Sequence, residues 1–321
     1  MSSTTPETSV VIVTYNSEDD IGSCLERLVG GEGLEVVVVD NASSDSTPTL
    51  LRDYEQRGLI DVLVLSETND GFAKAVNAGI RASHGHDVFL LNPDAEIDGA
   101  ELGRLRDEAR RDPSIGIIAP LVESGPTVAV MAAGRQPTLW PLFTHFTGLA
   151  RAFPQSRLMR GRHLYMGAHS TTEQDVEWVS GCALYVTEPA LSKVGLLSER
   201  WFMYGEDIEF AHRVSKAGFR VVVTPEVKAT HLIGSSVNKA GGRVSTMWAE
   251  NTYDYYVREF KAGPVRRLVW RLIFSGGLLS RALLFRVRGL RSPSLRAEYA
   301  GRAHRFERFA AAVWKTGSPR D

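Results

Sequence analysis

The sequence predicts an α/β fold, a mostly parallel sheet flanked by helices, with a helical arm at the C-terminus. Short apolar, β-branched runs alternate with helical patterns through the first 120 or so residues. The runs are apolar on both faces, as strands are when helices cover a sheet on either side. Polar residues gather where several runs end, the edge at which such sheets take ligands.

Residues 9–14 (SVVIVT) read as a buried strand. A polar segment, 15–20, leads into a helix marked by Ile21, Cys24, Leu25 and Leu28, and Gly30 and Gly31 stop it. Residues 34–39 form the second strand and end at Asp40-Asn41-Ala42-Ser43-Ser44-Asp45. A helix over about 46–56, a strand at 59–65 and a helix at 70–82 follow. The fourth strand, 87–91, ends at Asn92-Pro93-Asp94; a helix around 101–111 and a strand at 115–119 complete the series.

Residues 121–175 are rich in Gly, Pro, Trp and Phe without a sustained period. They read as an irregular insertion able to flank an active site. Residues 176–186 read as a strand interrupted at Ser180-Gly181. A helix starts near Gly205, with Ile208, Phe210, Ala211 and Val214 at helical spacing, and a strand-like run, 220–223, comes after it. The organisation expected is a flexible tail (1–8), one catalytic domain (9–246) and a basic helical arm (247–321).

Two cysteines, Cys24 and Cys182, lie far apart and match no metal spacing, so reduced buried thiols are expected. The polar stretch 1–8 lacks the apolar core of a signal peptide. A cytoplasmic protein is expected. The net charge of -1 conceals a division. Residues 258–321 hold 15 Lys/Arg against 4 Asp/Glu, leaving 22 against 34 for residues 1–257. The basic arm suggests an anionic surface as its partner; no nucleic-acid partner is expected.

No G-x-G-x-x-G follows the first strand and no G-x-x-x-x-G-K-[ST] occurs. Dinucleotide-dependent oxidoreductases and P-loop enzymes are therefore disfavoured. Without a glycine cradle, phosphates are neutralised most readily by a divalent metal on a carboxylate. Asp94 and Glu96 are the candidates, although Asn-Pro-Asp is also a good turn.

Glu206 and Asp207 sit in the first turn of a helix, beside Trp201, Phe202 and Tyr204. The positive end of the helix dipole favours carboxylates there. Such a carboxylate can take a proton from a hydroxyl group, or can simply cap the helix. Spacing does not choose between the two acids.

The segments 10–16, Val39 to Asp45, Asn69-Asp70-Gly71-Phe72-Ala73 and Leu91-Asn92-Pro93-Asp94 together resemble family 2 glycosyltransferases with the GT-A fold. The likeness continues through Trp178-Val179-Ser180-Gly181-Cys182 and Tyr204-Gly205-Glu206-Asp207 to His231. It spans about residues 9–235 and looks closest to the rhamnosyltransferase branch, which includes actinobacterial enzymes acting on a polyprenyl-diphosphate-linked sugar.

The resemblance implies inverting transfer from a dTDP- or UDP-sugar to a glycan or polyprenyl-linked acceptor. It implies that Thr14, Tyr15 and Asn16 line the nucleotide pocket and that Asp40 meets the pyrimidine. Asn69, Gly71 and Lys74 would lie along the ribose and diphosphate. Asp94 would bind Mn²⁺ or Mg²⁺, at the last position of a slot that is D-x-D in many relatives. Asn92 fills the first position, which removes one charge, and His231 would complete the metal shell. Trp178, Ser180 and Gly181 would lie beneath the sugar. Trp201 and Tyr204 offer walls for sugar or acceptor, or pack in the core. Asp207 would be the general base, with Glu206 shaping the pocket. Residues 234–245, with three glycines, Lys239 and Arg243, would close over the diphosphate or serve as a linker.

Two rivals share these features. A nucleotidyltransferase needs a Gly/Arg/Lys-rich loop after the first strand, where this chain has the acidic 17–20. A non-catalytic sugar-binding protein would be expected to lack the base or the metal ligand, and this chain keeps both.

In the arm, Arg266, Arg267, Arg271, Arg281 and Arg288 share an arc of about 140° when plotted as one helix. Val265, Leu268, Val269, Leu272, Ile273, Leu279 and Leu283 fill another, and Trp270, Phe274 and Phe285 lie among the arginines. The pattern predicts arginines and aromatics turned to lipid headgroups, or an arm packed on the domain or on a second subunit of a homodimer. Frequent arginines argue against a membrane span, and Gly276-Gly277 is a candidate break into a hairpin.

Overall fold

A computed structural model describes residues 5–123, 133–164, 172–231 and 246–317. The chain divides into two compact units, 1–134 with 165–242 and 135–164 with 243–321.

The first unit contains β1 (Thr8–Thr14), α1 (Ile21–Leu28), β2 (Leu34–Asp40), α2 (Thr47–Gln56), β3 (Val62–Leu65) and α3 (Phe72–Ala82). β4 (Asp87–Leu91), β5 (Ala95–Glu96), α4 (Gly99–Arg111), β6 (Ile115–Glu123) and β7 (Ala133–Gly134) follow. The chain passes to the second unit for α5 (Leu139–Thr147) and α6 (Leu149–Ala152). It returns for β8 (Gln174–Asp175), β9 (Trp178–Val179), β10 (Ala183–Val186), α7 (Glu188–Val194), α8 (Glu206–Lys216) and β11 (Arg220–His231).

The main sheet runs β3-β2-β1-β4-β10-β6-β11-β5, with β8 also on β11. β1 to β4 pair in parallel, as do β6 and β11, and β10 is antiparallel to both neighbours. Val10, Ile12, Val38 and Phe89 are fully buried, as two-sided strands require. Thr8, assigned to the tail from sequence, is buried and pairs with Leu34 and Asp87.

Two departures from simple alternation build the ligand edge. Because β10 runs backwards, its first residue faces the last of β4: Ala183 pairs with Leu91, and the Asn92 amide donates to the Cys182 carbonyl at 2.9 Å. β11 is three times the length of the run 220–223 read from sequence. Its register with β6 shifts between Thr224 and Lys228, around Pro225, an irregularity of the kind that a proline imposes on a strand. The strand then continues to pair His231 with Ala95 of β5.

The second unit holds α5, α6, α9 (Met247–Glu259), α10 (Pro264–Arg291) and α11 (Arg296–Lys315). Tyr253, Tyr256, Trp270, Phe274, Leu278 and Val313 form its core. Trp270 and Phe274, one turn apart, stack at 4.6 Å between centroids, and the indole N–H donates to the Pro137 carbonyl at 2.7 Å.

Three expectations are corrected here. Residues 135–164 are not irregular throughout: α5 forms, and Leu142 joins the core of α9 to α11. α10 is one helix through Gly276 and Gly277. A Cβ on Gly277 would lie 2.0 Å from the Phe146 ring, so this glycine admits a close approach instead of breaking the helix. Of the arginines and aromatics of α10, Arg271, Arg281, Trp270 and Phe274 turn inward, while Arg266 and Arg288 are exposed. Trp270 and Phe274 are fully buried, Arg271 lies over Tyr253 at 4.4 Å, and Arg281 lies over Phe146 at 5.0 Å. Arginine stems and planes cover aromatic faces well, so the wheel groups these residues correctly while the face they occupy is the inner one.

Candidate active site

The polar strand ends meet at one edge of the first unit's sheet. The Thr14 hydroxyl, at the end of β1, donates to Asp40 Oδ1 at 2.9 Å. Ser43 donates to the same carboxylate through its amide (3.0 Å) and its hydroxyl (2.5 Å). Asp40 is thus buried and braces its own loop. Asn16 adopts φ 52° and accepts the Ser44 amide at 2.8 Å, joining the loops after β1 and β2. Tyr15 beside it is exposed.

Asn41 Nδ2 donates to Asn69 Oδ1 at 2.9 Å and to the Gly71 carbonyl at 3.4 Å. Gly71 has φ 98°, and a Cβ there would lie 2.4 Å from the Phe202 carbonyl oxygen. That oxygen accepts the Phe72 amide at 2.8 Å. Gly71 therefore fastens α3 to the 202–205 segment. Asn77, one turn further along α3, exchanges hydrogen bonds with Leu197 and donates to Glu199 at 2.8 Å. Lys74 is half-exposed and pairs with Asp70 at 3.5 Å.

The Phe72 ring also lies 3.4 Å from where a Gly181 Cβ would stand. Gly181 and Trp178 are buried, and Ser180 and Asn92 half-buried. Of the two candidate aromatic walls, Trp201 is buried and Tyr204 is exposed. Tyr204 has φ 68° and Gly205 φ 113°, and these two residues turn the chain sharply into α8. The strain of a tyrosine at positive φ is the kind that collects at functional sites.

α8 opens with Glu206 and Asp207, and their environments differ. Glu206 is 4% exposed, and its Oε2 has no hydrogen-bond partner among the described residues. Burial, with the neighbouring Asp207 charge adding, raises its carboxyl from 4.5 to about 8. Asp207 is half-buried, and its Oδ1 accepts the Ile208 amide at 2.8 Å.

Asp94 and His231 are 137 residues apart in sequence, yet the β5–β11 pairing sets His231 Nε2 3.1 Å from Asp94 Oδ1. Both are largely buried. Glu96, considered for the metal from sequence, is instead held by Arg27 at 3.4 Å. Among the described residues no third His, Cys, Asp or Glu joins the pair. One carboxylate oxygen and one imidazole nitrogen, side by side, suit a divalent ion that takes its remaining ligands from phosphate and water. Cys182 lies near Asp207 and Asp94: burial chiefly, with these two carboxylates adding, pushes its thiol up to about 11. The loop 234–245 lies outside the described residues.

Sequence reading missed Asn41, Ser43, Asn77 and Phe202, which position the edge. Asn41 and Ser43 stood in the quoted motif without a role; the Asn77 and Phe202 contacts form with segments distant in the chain.

Residues 9–166 match the family model for Glycosyl transferase family 2. Residues 9–166 carry a family 2 glycosyltransferase domain. The chain is 29% identical over 252 residues to N-acetylglucosaminyl-diphospho-decaprenol L-rhamnosyltransferase of Mycobacterium tuberculosis, covering 69% of this chain and 75% of that one. It is 29% identical over 227 residues to the low-salt glycan biosynthesis hexosyltransferase Agl10 of Haloferax volcanii, covering 70% and 66%. Among solved structures it is similar to the mannosyltransferase PcManGT of Pyrobaculum calidifontis in complex with GDP-Man and Mn²⁺. That likeness has a TM-score of 0.57 at 16% identity and covers 98% of this chain and 86% of that one. The glycosyltransferase fold is GT-A, with additional helices at the C-terminus.

Proposed function

We propose that this glycosyltransferase is inverting, and that it moves a deoxyhexose such as rhamnose from a dTDP- or UDP-sugar to a hydroxyl of a lipid-linked glycan. The observation that carries the reading is the pair of acids on α8. Glu206 is buried, and burial with the Asp207 charge adding raises its carboxyl to about 8, whereas Asp207 is half-buried and the more open of the two to an acceptor hydroxyl. That contrast supports Asp207 as the base, a choice that spacing leaves open.

In this reading Asp207 takes the proton of the acceptor hydroxyl as that oxygen bonds to the anomeric carbon. The bond from that carbon to the diphosphate oxygen breaks on the opposite face, and the nucleoside diphosphate leaves with the electron pair. Mn²⁺ or Mg²⁺ held by Asp94 and His231 would offset the charge gathering on the diphosphate. Neutral Glu206 keeps a second negative charge away from the reacting oxygen and carries a proton to donate to a hydroxyl. Thr14, Tyr15, Asn16 and Asn69 frame the nucleotide, with Asp40 holding their loop and keeping an Oδ2 lone pair for the base. Lys74 serves the diphosphate, Asn92 and Ser180 the donor sugar, and Tyr204 the acceptor. The rhamnosyltransferase relative, named for an N-acetylglucosaminyl-diphospho-decaprenol acceptor, supports the choice of lipid-linked glycan. The two buried, free cysteines suit a reducing compartment, and we place the reaction in the cytoplasm.

The test is nucleotide release from a panel of dTDP- and UDP-sugars, with and without a polyprenyl-diphosphate-linked N-acetylglucosamine. Release that requires this acceptor supports the reading. Binding of nucleotide-sugars without release under any pairing would point to a sugar-binding protein.

A further inference from the structure

With Trp270, Arg271, Phe274 and Arg281 turned inward, α10 leaves a largely aliphatic stripe on its outer face. Val265, Leu268, Leu272, Leu279, Leu283 and Leu290 are 49% to 74% exposed. At 100° per residue they fall within an arc of about 60°, over a length of about 38 Å. The charged residue within that arc, Arg286, is paired with Glu307 of α11 at 2.7 Å. A contiguous stripe of this kind marks an interaction surface.

α10 is long and apolar enough to cross a membrane, with a mean hydropathy of 1.5 over its best 18-residue window. That test weighs length and composition alone and does not overturn the expectation against a span. The packing also favours an in-plane position. The opposite face is committed to the second unit's core through Trp270, Phe274 and Leu278, each at most 1% exposed. It also carries Arg271, which donates to the Thr316 carbonyl at 2.7 Å, and Arg281, 2.8 Å from His145 Nε2. A helix so occupied on one side meets lipid along the other.

We propose that α10 lies in the plane of an anionic lipid surface, with the leucine stripe entering the acyl region. Charge complementarity selects this occupant. The arm has 15 Lys/Arg against 4 Asp/Glu, and Arg266, Arg291 and Arg296 are exposed around the stripe. Two copies meeting on the stripe would bring two basic arms together, whereas anionic headgroups neutralise them. The inference rests on α10 and not on the sugar-transfer reading, and the two fail separately.

The experiment is co-sedimentation of the full chain with phosphatidylglycerol vesicles, with phosphatidylcholine vesicles as comparison. The expected result is binding to phosphatidylglycerol at low salt, weakened but not abolished by high salt. Leu272→Gln with Leu279→Gln replaces two exposed side chains and should lower the partition coefficient about tenfold or more. Circular dichroism and nucleotide binding should not change. Vesicle binding unaffected by the double substitution would overturn the proposal. So would a wild-type chain that ignores phosphatidylglycerol at low salt, or a dimer that the double substitution dissociates.

Discussion

Replacing Glu206 by Gln should remove a dependence of stability on pH. The native carboxyl is raised from 4.5 to about 8, by burial first and the Asp207 charge second. Between those values the folded chain holds a proton that the unfolded chain has released. The unfolded state therefore binds fewer protons, and stability falls as pH rises through that window. At about 1.4 kcal/mol per pH unit the full displacement corresponds to roughly 5 kcal/mol, shared with Asp207. Glutamine has nearly the same shape and no charge to bury. Urea unfolding followed by circular dichroism at pH 5, 6.5 and 8.5 reads the effect. Wild type and Glu206→Gln should be similar at pH 5 and diverge by several kcal/mol at pH 8.5, with the variant the more stable. Parallel curves across the range would refute the reasoning, because they would mean that Glu206 ionises in its site without penalty.

Asp94→Ala or His231→Ala should weaken nucleotide-diphosphate binding about tenfold or more by calorimetry with Mn²⁺ present, and chelator should bring wild type and variants together. Wild-type affinity that is indifferent to chelator would take both residues out of a metal role. Gly71→Ala combines φ 98° with a Cβ 2.4 Å from the Phe202 carbonyl oxygen; it should lose about 1–3 kcal/mol and nucleotide binding with it. Gly58→Ala, at φ 74° in open space, should lose about 1–2 kcal/mol and leave nucleotide binding intact. Equal loss of binding in the two would mean that the junction between α3 and the 202–205 segment is not what Gly71 provides.

The parallel part of the sheet was legible because β1, β2 and β4 bury both faces, so their composition alone marks them. The candidate site could be proposed from a set of motifs whose order resembles that of a family. What the sequence could not show is how distant segments pair. His231 reaches Asp94 because β11 continues past its irregularity to β5, and no local pattern records a pairing across 137 residues. Asn77 carries no local signal either, because its partners Leu197 and Glu199 lie about 120 residues away in the chain. α10 shows the limit of a helical wheel. The periodicity sorts its residues into two arcs, but which arc is buried depends on the partners. Tyr253, Tyr256 and Phe146 offer ring faces to arginines as readily as an aliphatic core accepts leucine.

The central claim is that Asp207 receives the acceptor's proton, and Asp207→Asn tests it most directly, since the shape is kept and the proton acceptor removed. Steady-state transfer with a productive donor and acceptor should fall by about a hundredfold or more in kcat. The Kd for the nucleoside diphosphate should stay within about twofold, a free-energy change of less than about 0.5 kcal/mol. Turnover near that of the wild-type enzyme would contradict the assignment and transfer the role to Glu206.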